Sequence, residues 1–169
     1  MSRTTLDDAF GHHVWATLEL IDTCLTLDPE QLGTAVSGTY GSILDTMRHL
    51  VGADSSYLFV MSGGRSPLIE EEQMGLRELR AVMGEHAAAW SSVLDADADP
   101  EAVLVRSRDD GSETRAPMSI RLAQALHHGT DHRSQICTAL TTLGVKPPFI
   151  DVWDFGLRDG RVVDVVPTT

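Results

Sequence analysis

Cysteine is scarce in this chain, and basic residues are outnumbered. Of 169 residues only Cys24 and Cys137 carry thiols, and there is no C-x-x-C pair, which excludes a disulfide scaffold. Lys and Arg number 13 against 25 Asp and Glu, for a net charge of −12. Nucleic-acid binding runs on clustered cations that displace counterions, so a phosphate backbone or an anionic lipid surface is a disfavoured partner. No apolar run approaches the ~18 residues that a membrane span needs. The first residues, MSRTTLDDAFGHHVWATLEL, lack the basic stretch followed by an apolar stretch of a secretory leader. Internal repeats and low-complexity segments are absent too. These absences predict a cytoplasmic protein with neither nucleic acid nor membrane as partner. The 42% hydrophobic content then describes one globular domain over residues 1–169, large enough to bury a core without staples.

Helical periodicity is present, in four segments. The first runs from about Thr5 to Leu27, with Phe10, Val14, Leu18, Ile21 and Leu25 recurring at steps of three and four, and Asp28-Pro29 ends it. The second runs from about Ser42 to Met61, with Ile43, Met47, Leu50, Tyr57 and Met61 in one stripe and Ser62-Gly63-Gly64 as the stop. The third covers about Glu70 to Leu94, with Leu76, Leu79, Val82 or Met83, Trp90 and Val93 inward. The fourth runs from about Met118 to Leu143, closed by Gly144 and Pro147-Pro148. Between the third and fourth, Glu101 to Pro117 reads as a β-hairpin turning at Asp109-Asp110-Gly111. A second hairpin is expected from Leu157 to Val166 around Asp159-Gly160, after an aromatic stretch, Ile150 to Phe155, that packs back on the body. Four amphipathic helices with short connections predict an all-α, antiparallel four-helix bundle.

The chain has seven histidines, and helix phase sorts them. His128 and His132 are four apart, about 40° apart in rotation and one turn apart in height. They share a sector with Ala125, Gly129, Ile136, Ala139, Leu140 and Leu143, the apolar stripe of the fourth helix, so both imidazoles point into the bundle. Small neighbours leave room for an ion. His127 and Asp131 fall on the opposite side. Burying two imidazoles with no carboxylate partner on the same helix is costly, which favours a shared metal ion over a pair of core histidines hydrogen-bonded to neighbours. A third ligand has to come from another helix, and His49 borders the stripe of the second. At most one of His12 and His13 faces inward, and His86, among alanines, reads as surface or helix packing.

Two of these stretches carry a family resemblance. Met47-Arg48-His49-Leu50-Val51-Gly52-Ala53-Asp54, a histidine followed five residues on by an acid, resembles the second-helix motif of DinB-like proteins. Leu126-His127-His128-Gly129-Thr130-Asp131-His132-Arg133-Ser134-Gln135-Ile136 is similar to their fourth-helix motif, with Ser134 where glycine is commoner. Val14-Trp15-Ala16 and Ile150 to Phe155 resemble further landmarks of the family. The resemblance implies an up-down-down-up four-helix bundle, a homodimer, and a divalent metal on His49, His128 and His132. The related mycothiol-dependent isomerases carry Glu at the position of His128, so this chain resembles the three-histidine branch.

Three neutral imidazoles leave an ion its full charge and at least one open position, the layout of catalytic rather than structural zinc. Zinc, nickel and ferrous iron all suit imidazole. Cys137 lies on the far side of its helix from His128 and adds no ligand. Asp54 and Gln135 are expected to orient the ligating rings. Arg133 reads as an interface or surface ion-pair residue, and Trp153 and Tyr57 as candidates to line the pocket. No general base or nucleophile stands out, so the chemistry falls to metal-activated water or to a low-molecular-weight thiol. The expected activity is thiol S-transfer or hydrolysis on a small molecule. The alternatives are a non-catalytic metal- or ligand-binding or stress-response protein, and a purely structural dimerising bundle.

Overall fold

Residues 3–96 and 98–165 are described in a computed structural model of the chain. It is mostly helical, with one small sheet. The element order is α1 (Thr5–Cys24), α2 (Pro29–Leu32), α3 (Ile43–Met61), a 3-10 turn (Glu71–Gln73), α4 (Leu76–Asp95), β1 (Val103–Ser107), β2 (Glu113–Pro117), α5 (Met118–Thr142) and α6 (Val152–Arg158). The four long helices are those predicted. Each packs on its neighbours, α1 on α4, α4 on α3, α3 on α5 and α5 on α1, around a core of Phe10, Leu20, Ile21, Met47, Leu50, Leu79, Met83, Trp90, Ile136 and Leu140. No helix among the described residues is long and apolar enough to cross a membrane.

Caps set the helix boundaries, and they account for two departures from periodicity. Asp28-Pro29 does not only end the first helix. Asp28 accepts from the Gln31 N–H and Pro29 fills the first turn, which starts α2. The third helix begins at Leu76 rather than near Glu70, because Glu78 reaches back to the Gly75 N–H and leaves Glu71–Gln73 as a separate turn.

The first hairpin is present: β1 and β2 pair antiparallel, with Val105 opposite Arg115. Arg121 on α5 ties it down by donating to the carbonyls of Leu104 and Thr114. The second hairpin is not. Val152–Arg158 is a helix, started by Asp151, which accepts from the Asp154 N–H. Asp159-Gly160 closes that helix instead of turning a hairpin, with the Gly160 and Arg161 N–H groups bonded back to Leu157 and Gly156. An Asp-Gly pair serves either purpose, and the cap upstream decides between them. Val166, the end of the expected hairpin, lies outside the described residues. In the aromatic stretch before it, Phe155 is the residue that packs back, against Trp15 and His12 of α1. Trp153, a candidate to line the pocket, is 71% exposed.

Candidate metal centre

His49 on α3 and His128 and His132 on α5 meet between their two helices, and one ligating nitrogen from each lies within 4.8 Å of the others. The Nε2 atoms of His49 and His128 face each other at 3.1 Å. A tetrahedral ion with bonds of about 2.0–2.1 Å to nitrogen would hold two such atoms about 3.3–3.4 Å apart, so only a small adjustment separates this spacing from a coordinated one. The rings of His128 and His132 lie 4.4 Å apart and that of His49 4.9 and 4.8 Å from them.

Surrounding residues orient these rings. His132 is 8% exposed, and its Nδ1–H donates to the Gln135 side-chain oxygen at 3.2 Å. The same oxygen accepts from the Tyr40 backbone N–H at 2.9 Å, which fixes the amide's orientation, since only an oxygen can receive both. With Nδ1 protonated, the Nε2 lone pair of His132 is left for the cluster, and no hydrogen bond among the described residues engages it. Tyr40 stacks on His49, rings 4.1 Å apart and 8° from parallel, and meets His132 edge-on. Tyr57 meets His128 edge-on and accepts from Gln124.

Two of the rings, His49 and His128, are also kept neutral. Burial, then the neighbouring His132, pushes His49 below the usual histidine range, against a smaller opposing pull from Glu71. Burial first, and then His132 and His49, brings His128 down to about 4. Metals take the neutral imidazole, so at neutral pH these two need shed no proton to bind one. The donor set and its spacing fit a divalent ion.

Asp54, expected beside this cluster, is placed elsewhere. It is 2% exposed, and its carboxylate accepts from His13 Nε2 at 3.0 Å, His86 Nδ1 at 2.7 Å and Trp90 Nε1 at 3.1 Å. It hydrogen-bonds none of the three clustered histidines. Arg133, read from sequence as a surface or interface residue, is 4% exposed. It donates to His13 Nδ1 at 2.9 Å and to Thr17. Because a guanidinium only donates, His13 Nδ1 must be an acceptor and His13 is the neutral Nε2–H tautomer. A chain of bonds thus runs from the Arg133 cation through His13 to the Asp54 anion, closed by His86 and Trp90, and every long helix contributes a member.

Burial is the largest influence on Asp54 and would raise it. Its contacts with His13 and His86 outweigh that and hold it below the ordinary carboxylate range. Burial pushes Arg133 down to about 10, with Asp54 opposing, so it remains a cation at neutral pH.

The two assemblies touch at Gly129, midway along α5 between the clustered histidines. A Cβ there would stand 2.5 Å from His13 Nδ1 and 2.9 Å from Arg133 Nη1. Of the other histidines, His127 is exposed on the far side of α5. His12 is half-buried, with Nε2 bonded to the Ile150 carbonyl.

The profile of the DinB family matches residues 1–157. The chain belongs to the DinB family. That match spans the two motifs around His49 and around His128 and His132, and it reaches into α6. No protein of curated function matches the chain.

A large cavity lies away from the histidine cluster. It is a groove of about 790 Å³ over α1 and α4, lined in part by Trp15, Phe155 and Leu94. Its basic rim is already internally paired, Arg80 with Asp22, Arg158 with Glu19 and Arg3 with Asp159. A smaller cavity of about 390 Å³, lined by Tyr40, Asp45, Arg48, His49, Glu71 and Glu72, adjoins the cluster at His49.

Proposed function

We propose that the chain is a metal-dependent enzyme whose three histidines hold a divalent ion, with His49, His128 and His132 as ligands. It acts on a small molecule by thiol S-transfer or hydrolysis. The observation that carries this reading is the convergence of three ring nitrogens from two helices, with His132 turned by Gln135 so that its Nε2 is free. Imidazole donors suit zinc or nickel, and also ferrous iron. Three neutral ligands leave a position open, where the ion would acidify water or take up a low-molecular-weight thiol.

The scaffold of this proposal is a single up-down-down-up four-helix bundle over residues 1–169. The pairs Phe10–Trp90 and Asp22–Arg80 support α1 running opposite to α4. Tyr57–Gln124 and Tyr40–Gln135 support α3 running opposite to α5. Exposed Phe149, Val152 and Trp153 form an apolar stretch that suits a homodimer contact. The free thiols of Cys24 and Cys137 suit a reducing cytoplasm.

Elemental analysis of purified protein tests the ligand set. About one equivalent of zinc, nickel or iron per chain is expected in the wild type, and less than a tenth of that in His128→Ala and His132→Ala. A metal-free wild type, or variants that retain its content, would end the reading. Turnover is then assayed on metal-saturated protein with glutathione, bacillithiol or mycothiol and small electrophiles. A histidine-dependent rate supports the enzyme; none with any thiol, and none in hydrolysis, reduces the protein to a metal-binding one.

A further inference from the structure

The cavity that adjoins the histidine cluster has an unbalanced charge. Asp45, Glu71 and Glu72 line it against a single guanidinium, Arg48. That guanidinium is committed: its Nε donates to the Met74 carbonyl at 2.9 Å and its Nη1 lies 3.6 Å from Asp45. Glu71 and Glu72 are left without a cation among the described residues.

Of these two, Glu71 is the one built into the site. It is half-buried, and its side chain lies over the α3 backbone at Gly52, one turn beyond His49. A Cβ on Gly52 would stand 2.5 Å from the Glu71 carboxyl carbon and 2.7 Å from one of its oxygens. The Arg48–Met74 bond pins the end of the turn that carries Glu71 to the helix that carries His49. No hydrogen bond among the described residues satisfies the Glu71 carboxylate, yet its charge is felt at the His49 ring. Against the His49 ring, the nine-tenths-buried His132 presents a ring nitrogen without a partner among the described residues. A fixed anion with no cation of its own, beside nitrogens that await an ion and its ligand, attracts the group that neutralises it.

We propose that Glu71 is a specificity-determining residue: it selects substrates that carry a cationic group, such as an ammonium, close to the end that reaches the histidine cluster, and disfavours anionic ones. This rests on the metal-centred reading above. It also orders the candidate thiols and electrophiles by charge, which places those bearing carboxylates last. Glu72, more exposed, adds to the field without setting it.

The test uses two thiols of equal chain length whose charged groups are poor metal ligands, thiocholine and 2-mercaptoethanesulfonate. Each is titrated into cobalt-saturated protein and followed by the thiolate-to-cobalt absorption band. Wild type is expected to favour thiocholine, and the ratio of the two dissociation constants is expected to fall about tenfold in Glu71→Gln, a change on the scale of one unit charge near a partly solvated site. Gly52→Ala, whose methyl takes the seat of the carboxylate, lowers the ratio with every charge retained. Raising the salt concentration shrinks the preference. Differences in thiol acidity cancel, because each variant is compared with wild type for the same pair. An unchanged ratio in both variants, a wild-type preference for the sulfonate, or a cobalt spectrum that neither thiol alters overturns the proposal while the metal site stands. Failure of the wild type to bind cobalt overturns the metal reading and this proposal with it.

Discussion

Two histidine assemblies sit within one bundle and solve the burial of imidazole in opposite ways. Around Asp54, both nitrogens of His13 and the Nδ1 of His86 have protein partners, and the one buried anion is matched through His13 by the Arg133 cation. Between α3 and α5, three rings turn their ligating nitrogens toward one another, and the Gln135 oxygen bonds only the outward Nδ1 of His132. The first arrangement is closed around its anion, whose two oxygens take three donors; satisfied buried polar groups contribute to a unique packing. The second is open, because the His132 Nε2 has no hydrogen-bond partner among the described residues and a cation can satisfy all three converging nitrogens together. Residue type is shared between them, and a carboxylate among the rings of one and not the other distinguishes the two.

The sharpest way to break the comparison is to remove that carboxylate. Asp54→Asn sets an amide N–H among donors from His13, His86 and Trp90 and strips Arg133 of its counter-charge. Breaking a buried charge network in this way costs about 3–5 kcal/mol, read by urea denaturation of metal-free protein at neutral pH. The pH dependence carries a second signature. In the native state the Asp54 carboxyl sits below its unfolded value of about 3.9, so the unfolded chain binds more protons in the interval between. The stability it supplies is therefore complete above that pH and drains as pH falls through the native value. Stability plotted against pH should slope less steeply below pH ~4 in Asp54→Asn than in wild type. A loss under about 1 kcal/mol would mean that this assembly does not hold the helices together.

The next largest effect lies at the seam. Gly129→Ala forces a methyl against the His13 ring, which cannot swing aside because Asp54 and Arg133 hold both of its nitrogens. Overpacking of this kind costs about 1–3 kcal/mol. Since Gly129 lies between His128 and His132 on the same helix, metal affinity should drop in the same variant, measured by competition with a chelating dye. Lost stability with unchanged affinity would show the two assemblies to be energetically separate.

What was legible in the sequence follows from how each residue is held. The four long helices and the inward pair His128 and His132 depend on 3.6-residue periodicity, which is a local property, and periodicity placed them. His13 and His86 were legible by the same rule: His86 falls in step with Leu79, Met83, Trp90 and Val93, and His13 in step with Phe10, Thr17 and Leu20. The alanines around His86 obscured its phase. The partnership of Asp54 could not be read, because an acid on an apolar stripe announces that it needs donors without saying which helix supplies them. Arg133 misled for a related reason, since a long cation is normally solvent-facing and here threads inward to His13. Tyr40 and Glu71 come from the connections between long helices, which carry no apolar period to read. They reach the site only because Tyr40 is bonded to Gln135 and the turn holding Glu71 is fixed by Arg48.

The smallest predicted change sharpens the contrast from the open side. Gln135 is to His132 what Asp54 is to His13 and His86: the acceptor that sets a ring's orientation and tautomer. Its role differs because it is neutral and bonds one nitrogen only, leaving the other exposed to the cluster. In Gln135→Ala, His132 loses the partner that keeps its proton on Nδ1, and Tyr40 loses the acceptor that positions it against His49. Outer hydrogen bonds to ligating histidines are worth about 10–100-fold in metal affinity, and the lower end is expected here because Gln135 carries no charge. The same substitution should alter the stability of metal-free protein by no more than about 1 kcal/mol, the usual net worth of a hydrogen bond. Measured side by side, Asp54→Asn should lower stability more than it lowers affinity, and Gln135→Ala the reverse. If both variants lowered both quantities in the same proportion, the distinction between a closed and an open assembly would collapse into a single polar core.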